Sequence, residues 1–360
     1  MKKICTVVGA RPQFIKLAVV SRVLRKSFRE VLIHTGQHYD YNMSDVFFEE
    51  MDIPKPDYNL GISGGSHGSM TGQMLIKLEE VLLSERPDML LVFGDTNSTL
   101  AAALAAVKLQ IPVCHVEAGN RLGALDNPEE VNRIVTDHVS ALRLACTASG
   151  MEFLRREGLE SGSFLAGDPM YDAFRYYTER LDGSELSELR GFDGKPLALP
   201  EKFYYMTCHR QENTDTDEKL EQIFQAMEAL DAPVVYPVHP RNHDRAARLV
   251  QKGNFRNLLL ARPVGYQCSI SLVNRAQKIV TDSGGLQREA FFAGKPCVTV
   301  FDYVAWPETM AGGCNRLAKP DKSDILGKLS APVSFDPAYR PFGDGHSGEK
   351  IVEKIVEFLQ

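Results

Sequence analysis

The chain has 360 residues, of which 44% are apolar and 24% charged, and a formal net charge of −6. That length holds two cores at about 150 residues each, and the composition excludes disorder, a collagen-like repeat and a disulfide-dense scaffold. The acidic balance supplies no global positive field for a nucleic-acid backbone or an anionic membrane, so neither is an expected partner.

From the first residues, short runs rich in Val, Ile and Leu alternate with helical patterns. Ile4 to Val8, Val31 to His34, Met89 to Phe93 and Ile111 to His115 predict strands buried on both faces. Between them, Met74, Leu78, Val81 and Leu82 recur at helical spacing within Met70 to Leu83, and Ala101 to Lys108 predicts another helix. Such alternation specifies a parallel sheet with helices on both faces. The pattern pauses between Tyr176 and Leu199, which marks a domain junction. It restarts with strands at Phe203 to Met206, Val234 to Tyr236, Leu258 to Leu260, Ile279 to Thr281 and Cys297 to Val300, and ends in an amphipathic helix, Ile351 to Leu359. The expected domains are residues 1–175 and 176–345. The terminal segment, 346–360, could join either and is assigned to pack back on the first.

The seven cysteines, Cys5, Cys114, Cys146, Cys208, Cys268, Cys297 and Cys314, never form a CxxC pair, and several sit inside apolar runs. They are expected to be reduced, buried thiols. With no signal-peptide pattern at the start and no apolar run of membrane-spanning length, a cytoplasmic location is expected.

Open parallel sheets bind ligands at the carboxyl ends of their strands, so chemistry is sought there. After the first strand, Gly9-Ala10-Arg11-Pro12 turns into a helix with Arg11 and Lys16 nearby. The segment reads either as an anion site or as a structural turn with solvated cations. It lacks both the GxGxxG fingerprint and the P-loop pattern, which argues against NAD and ATP. Asp282-Ser283-Gly284-Gly285 is a stronger signal, because paired glycines at a helix start let backbone N–H groups approach a pyrophosphate. Glu289, less than two turns on, could accept from both ribose hydroxyls; the alternative is an N-cap followed by a solvated helix.

Asp95 and Glu117 emerge from neighbouring strand ends. Capping would explain Asp95, but not a carboxylate so close to an apolar strand at 117. Glu129 and Arg133 stand at i,i+4, where a surface ion pair is the plain alternative to a site role. His209 ends the first strand of the second domain, a position open to catalytic or structural use. The nine histidines form no compact ligand set, so no metal is expected.

In order, Gly9 to Lys16, Thr35-Gly36-Gln37-His38, Gly94 to Thr99, His115 to Gly119, Pro128 to Arg133, His209 to Asn213, Thr281 to Gln287 and Phe342-Gly343-Asp344-Gly345 resemble the non-hydrolysing UDP-N-acetylglucosamine 2-epimerases. The resemblance covers nearly the whole chain. It implies a GT-B-like α/β fold, two Rossmann-like domains with parallel sheets around a central cleft, in a homodimer. It also implies an isomerase that interconverts UDP-N-acetylglucosamine and UDP-N-acetylmannosamine by losing UDP and adding it back to a glycal, with no cofactor. By the same resemblance Asp95, Glu117, Glu129 and His209 are the catalytic set. Arg11, Lys16, Arg133, Ser283, Gly284, Gly285 and Glu289 are UDP ligands, and Gln37, His38, Arg210 and His239 match allosteric positions.

Four departures stand out: Gln13 replaces the usual Glu, Asn120 follows His-Val-Glu-Ala-Gly where Leu is usual, Phe301 to Glu308 lacks the usual basic residue, and Asp40 departs from the usual residue at an allosteric position. The Pro-Gln-Phe-Ile-Lys and Gln-His-Tyr-Asp stretches look more like the branch acting on UDP-2,3-diacetamido-2,3-dideoxyglucuronate. A GT-B glycosyltransferase is a rival reading, but it would leave the three carboxylates without a joint purpose. A non-catalytic nucleotide-sugar sensor is another; it predicts binding without turnover.

Overall fold

The computed structural model describes residues 1–36 and 48–360. They divide into two compact units, Met1–Arg175 with Arg340–Gln360, and Tyr176–Tyr339.

The first unit holds seven parallel strands: β1 (Lys3–Val8), β2 (Arg29–His34), β3 (Tyr58–Asn59), β4 (Met89–Phe93), β5 (Val113–Ala118), β6 (Leu142–Ala145) and β7 (Ser163–Leu165). Their order across the sheet is β3-β2-β1-β4-β5-β6-β7. Every residue of β4 is fully buried, as its unbroken apolar run requires in a sheet covered on both faces. Helix His67–Glu85 drops Met74, Leu78, Val81 and Leu82 onto Cys5, Val7, Leu90 and Val92. Helix Asn97–Lys108 packs into the same core through alanines, whose small side chains allow close approach without loss of helix propensity.

Two differences from the sequence expectations have local causes. β5 starts after Pro112, which gives its carbonyl to the Leu90 N–H but has no N–H of its own, and runs three residues past His115. Residues 340–345, expected in the second domain, belong to the first unit: the Phe342 carbonyl accepts from the Asp168 N–H at 3.0 Å and the Asp344 carbonyl from Arg175 at 2.6 Å. The terminal helix Ser347–Leu359 follows them and buries Ile351, Val352 and Ile355 beside helix Arg11–Leu24.

The second unit repeats the plan with β8 (Tyr204–Thr207), β9 (Val234–Pro237), β10 (Leu258–Ala261), β11 (Ile279–Thr281), β12 (Cys297–Thr299) and β13 (Asn315–Leu317). All pairings are parallel, in the order β10-β9-β8-β11-β12-β13. Its core joins Met206, Val234, Tyr236, Val280 and Val298 to Leu220, Ile223, Phe224 and Met227 of helix Asp217–Glu228. All seven cysteines are buried free thiols, and burial pushes those of Cys5 and Cys297 up to about 12. Among the described residues no helix is long and apolar enough to cross a membrane.

Each sheet reverses its strand order once, between β1 and β4 and between β8 and β11. Those switch points open crevices at the strand carboxyl ends. The segments that follow these four strands, and β5 beside them, carry most of the site residues expected from sequence.

Candidate active site

In the first unit, β1 runs into Gly9 and helix Arg11–Leu24. A Cβ on Gly9 would lie 2.2 Å from Ser98 Oγ and 2.3 Å from Thr35 Oγ1, so this turn requires glycine. The helix start is tied across the switch point by Gln13. Its Oε1 accepts from the Gly9 N–H at 2.7 Å, and its Nε2 donates to the Phe93 carbonyl at 2.8 Å. A carboxylate has no proton to give that carbonyl, which accounts for Gln at this position. Arg11 is half-buried at the helix start.

Lys16 lies one turn on and is only 2% exposed. Its ammonium pairs with the carboxylate of Glu117, itself 8% exposed at the end of β5. Glu117 has φ +71°, a left-handed conformation inside a strand, and the pairing of β5 with β6 shifts register between Val116 and Ala118. For a residue with a side chain that conformation costs about 1–2 kcal/mol. The bulge turns the Glu117 carboxylate toward Lys16 at the end of the strand, beyond the sheet core.

Asp95 follows Gly94, whose left-handed turn (φ +62°) ends β4. The cap of helix Asn97–Lys108 is Thr96, not Asp95, so capping does not occupy Asp95. Its carboxylate instead takes the guanidinium of Arg133, which is 6% exposed and also donates to Glu130 at 2.6 Å. Asn132 adds a hydrogen bond to the Asp95 carbonyl at 2.9 Å. Of the paired glutamates, Glu130 is buried and accepts from the Leu122 and Gly123 N–H groups, while Glu129 stays exposed on the first turn of helix Pro128–Val139. The i,i+4 pair with Glu129 gives way to an i,i+3 pair with Glu130.

In the second unit His209 leaves the end of β8 and meets Asp282 at the end of β11. Asp282 is fully buried and accepts from the His209 N–H at 2.8 Å, the Arg210 N–H at 2.8 Å and His209 Nδ1 at 3.0 Å. Burial opposes its charge, but these bonds and the His209 ring hold its carboxyl below the usual range. With Nδ1 committed to Asp282, Nε2 is the nitrogen His209 presents, on a side chain 41% exposed. Ser283 caps the next helix, Gly284–Phe292, by accepting from the Leu286 N–H at 3.3 Å. Ser283, Gly284 and Gly285 are half-buried at its start, Glu289 is 5% exposed on its second turn, and Arg288 stacks over Trp306 at 4.0 Å.

Arg210 sits over the stacked rings of Phe301 and Tyr303, 4.5 and 5.6 Å from their centroids, and donates to the Tyr303 hydroxyl. These side chains line a pocket of about 120 Å³ with Asn213, Lys219 and Lys319. His239 accepts from the Arg241 N–H at 3.2 Å and so caps a short turn. Gln37 and His38 lie outside the described residues. Glu117, Cys146 and Asp168 bring potential metal-ligand atoms within 4.8 Å of one another. Lys16 already neutralises the first and the Met170 N–H bonds the third at 2.9 Å.

The UDP-N-acetylglucosamine 2-epimerase family model matches residues 22–356. The chain belongs to the UDP-N-acetylglucosamine 2-epimerase family, a family of isomerases. It is 48% identical, over 98% of its length and 99% of the relative's, to a UDP-N-acetylglucosamine 2-epimerase homolog of Methanococcus maripaludis. It is 42% identical, over 99% of both chains, to the UDP-2,3-diacetamido-2,3-dideoxy-D-glucuronate 2-epimerase of Pseudomonas aeruginosa. The crystal structure of Methanocaldococcus jannaschii UDP-GlcNAc 2-epimerase in complex with UDP-GlcNAc and UDP superposes with a TM-score of 0.88 at 37% identity, covering 99% of each chain. With its two parallel sheets, this places the chain in the GT-B-like α/β class.

The motifs of this sequence point to individual residues but not to their partners. Asp282 escaped the sequence reading as a site residue, although it stands between an apolar strand and Ser283-Gly284, where a buried carboxylate needs a reason. The Lys16–Glu117 and Arg133–Asp95 pairs span 101 and 38 residues and leave no local periodicity to read.

Proposed function

We propose that the chain epimerises C2 of a UDP-N-acetylhexosamine, interconverting UDP-N-acetylglucosamine and UDP-N-acetylmannosamine. Loss of UDP from C1 develops positive charge beside C2, which acidifies the C2 hydrogen for removal by a carboxylate. The electron pair of the C2–H bond closes the C1–C2 double bond of a glycal. Return of UDP to C1, with a proton delivered to the opposite face of C2, gives the inverted sugar.

The observation that carries this reading is Glu117: a carboxylate set in a strained bulge at a strand end and neutralised by one lysine. In this reading Glu117 exchanges the C2 proton, while Asp95, Glu129 and His209 share the remaining proton transfers. Arg11, Lys16, Arg133, Ser283, Gly284, Gly285 and Glu289 hold UDP. Gly284 supports the nucleotide assignment, since a Cβ there would meet only Trp306, at an ordinary 3.7 Å. The fold has room for a side chain at 284, so a ligand close to the helix start is what glycine accommodates. A cytoplasmic homodimer completes the proposal, with the exposed Ile76 and Leu83 of helix His67–Glu85 as an apolar stripe for it.

A second substrate, UDP-2,3-diacetamido-2,3-dideoxyglucuronate, is favoured by one observation: 42% identity to the Pseudomonas epimerase, against 40% and 39% to the UDP-N-acetylglucosamine 2-epimerases of Methanococcus maripaludis and Methanocaldococcus jannaschii. Proton NMR of the purified chain with each UDP-sugar in turn tests both. A second set of anomeric signals, reached from either epimer without NAD or metal, is the expected result. Binding with no new sugar signals from either substrate would indicate a sensor and overturn the proposal.

A further inference from the structure

A left-handed residue inside a strand persists only where its surroundings hold it. We propose that Asp137 is the positioning residue for Glu117, gripping β5 on both sides of the bulge; this rests on the reading of Glu117 as the group that exchanges the C2 proton. Asp137 is fully buried on helix Pro128–Val139. One carboxylate oxygen accepts from His115 Nδ1 at 2.7 Å, two residues before Glu117. The other accepts from the Gly119 N–H at 3.0 Å, two residues after it. A single side chain from a neighbouring helix thus spans the segment where the β5–β6 register slips.

The brace reaches a second strand end. His115 Nε2 lies 2.7 Å from the Gly94 carbonyl, a group that only accepts. The two ring nitrogens of His115 therefore face a carboxylate on one side and a carbonyl on the other, so the ring bridges Asp137 to the end of β4. Arg121 adds a second tie: it donates to Asp137 at 2.7 Å and to Glu157 at 2.7 Å, so one guanidinium bridges two carboxylates. Burial works against the charge on Asp137, but His115 and Arg121 hold its carboxyl below the usual range. Gly94 precedes Asp95 and adjoins the Lys16–Glu117 pair, since a Cβ on it would lie 3.4 Å from Lys16 Nζ and 3.7 Å from Glu117 Oε1. One buried bridge, Asp137–His115–Gly94, therefore ties the strand that carries Glu117 to the end of β4.

An amide at 137 offers one acceptor oxygen in place of two, so either the Gly119 N–H loses its acceptor or the His115 ring gives up its donor bond at Nδ1, and one side of the bulge is held less firmly. The test is a double-mutant cycle on the full chain, with turnover of the UDP-sugar that the wild-type chain epimerises. Asp137→Asn is expected to lower kcat about 10- to 100-fold through misplacement of Glu117, with KM nearly unchanged and a cooperative thermal transition retained. Added to Glu117→Gln, it is expected to change the residual rate less than about threefold, because the group it positions is already gone. Wild-type kcat in folded Asp137→Asn, or the same fold loss in the Glu117→Gln background, overturns the proposal. Should Asp137→Asn fail to fold, His115→Gln enters the same cycle under the same criteria. Normal turnover of Glu117→Gln alone removes the base assignment, and the positioning role with it. An inactive Glu117→Gln beside a fully active Asp137→Asn removes the positioning role only.

Discussion

Glu117→Gln lowers kcat about 10²-fold or more while UDP affinity stays close to that of the parent chain. The amide keeps the size and most hydrogen bonds of the carboxylate but takes no proton. If Glu117 exchanges the C2 hydrogen, the loss falls on the transition state and leaves nucleotide binding alone. The variant also loses stability for a separate reason. Lys16 is buried and its charge is met by Glu117, and removing one partner of such a pair costs about 3–5 kcal/mol. Turnover is therefore read on protein whose folding is checked by thermal unfolding, with UDP affinity measured by calorimetry. Near-normal turnover would make Glu117 a structural partner of Lys16.

Asp282→Asn produces the second large effect, in turnover and in acid stability together. Asp282 accepts from two backbone N–H groups and from His209 Nδ1. An amide that keeps its oxygen on the backbone donors turns its N–H toward His209, which then carries its proton on Nε2. The ring presents the wrong tautomer, and turnover is expected to fall about 10²-fold or more. The stability sign follows from the lowered folded-state value of Asp282. Its contribution is fully present above the unfolded carboxyl value of about 3.9 and is lost as pH falls through the lower folded value. Denaturant titrations should show wild-type stability declining below about pH 4 and Asp282→Asn declining less steeply. Parallel curves for the two would show that Asp282 does not contribute this linkage.

The strands were legible because both sheets are buried on both faces: Met89–Phe93 and Ile279–Thr281 match their apolar runs residue for residue. Glu117 obscured the end of β5, since a charge inside a strand reads as its terminus and a bulge has no hydrophobic signature. Asp95 was placed correctly at a strand end, yet the cap of the following helix fell to Thr96, one residue on. Asp137 was hidden for the opposite reason. Within Pro128–Val139 a polar residue at 137 looks solvated, and only the packing of that helix against β5 shows it buried on His115. What sequence motifs conveyed was residue identity at the strand ends; what they withheld was the pairing that neutralises or orients each group.

The most direct test of the elimination account is the fate of the C2 hydrogen. The chain is incubated in D2O with the UDP-sugar it epimerises, and C2 is followed by proton NMR and mass spectrometry. Epimerised product that carries deuterium at C2, gaining one mass unit on the sugar, is the predicted result. Product that retains its original C2 hydrogen throughout would contradict proton removal at C2 and the role given to Glu117.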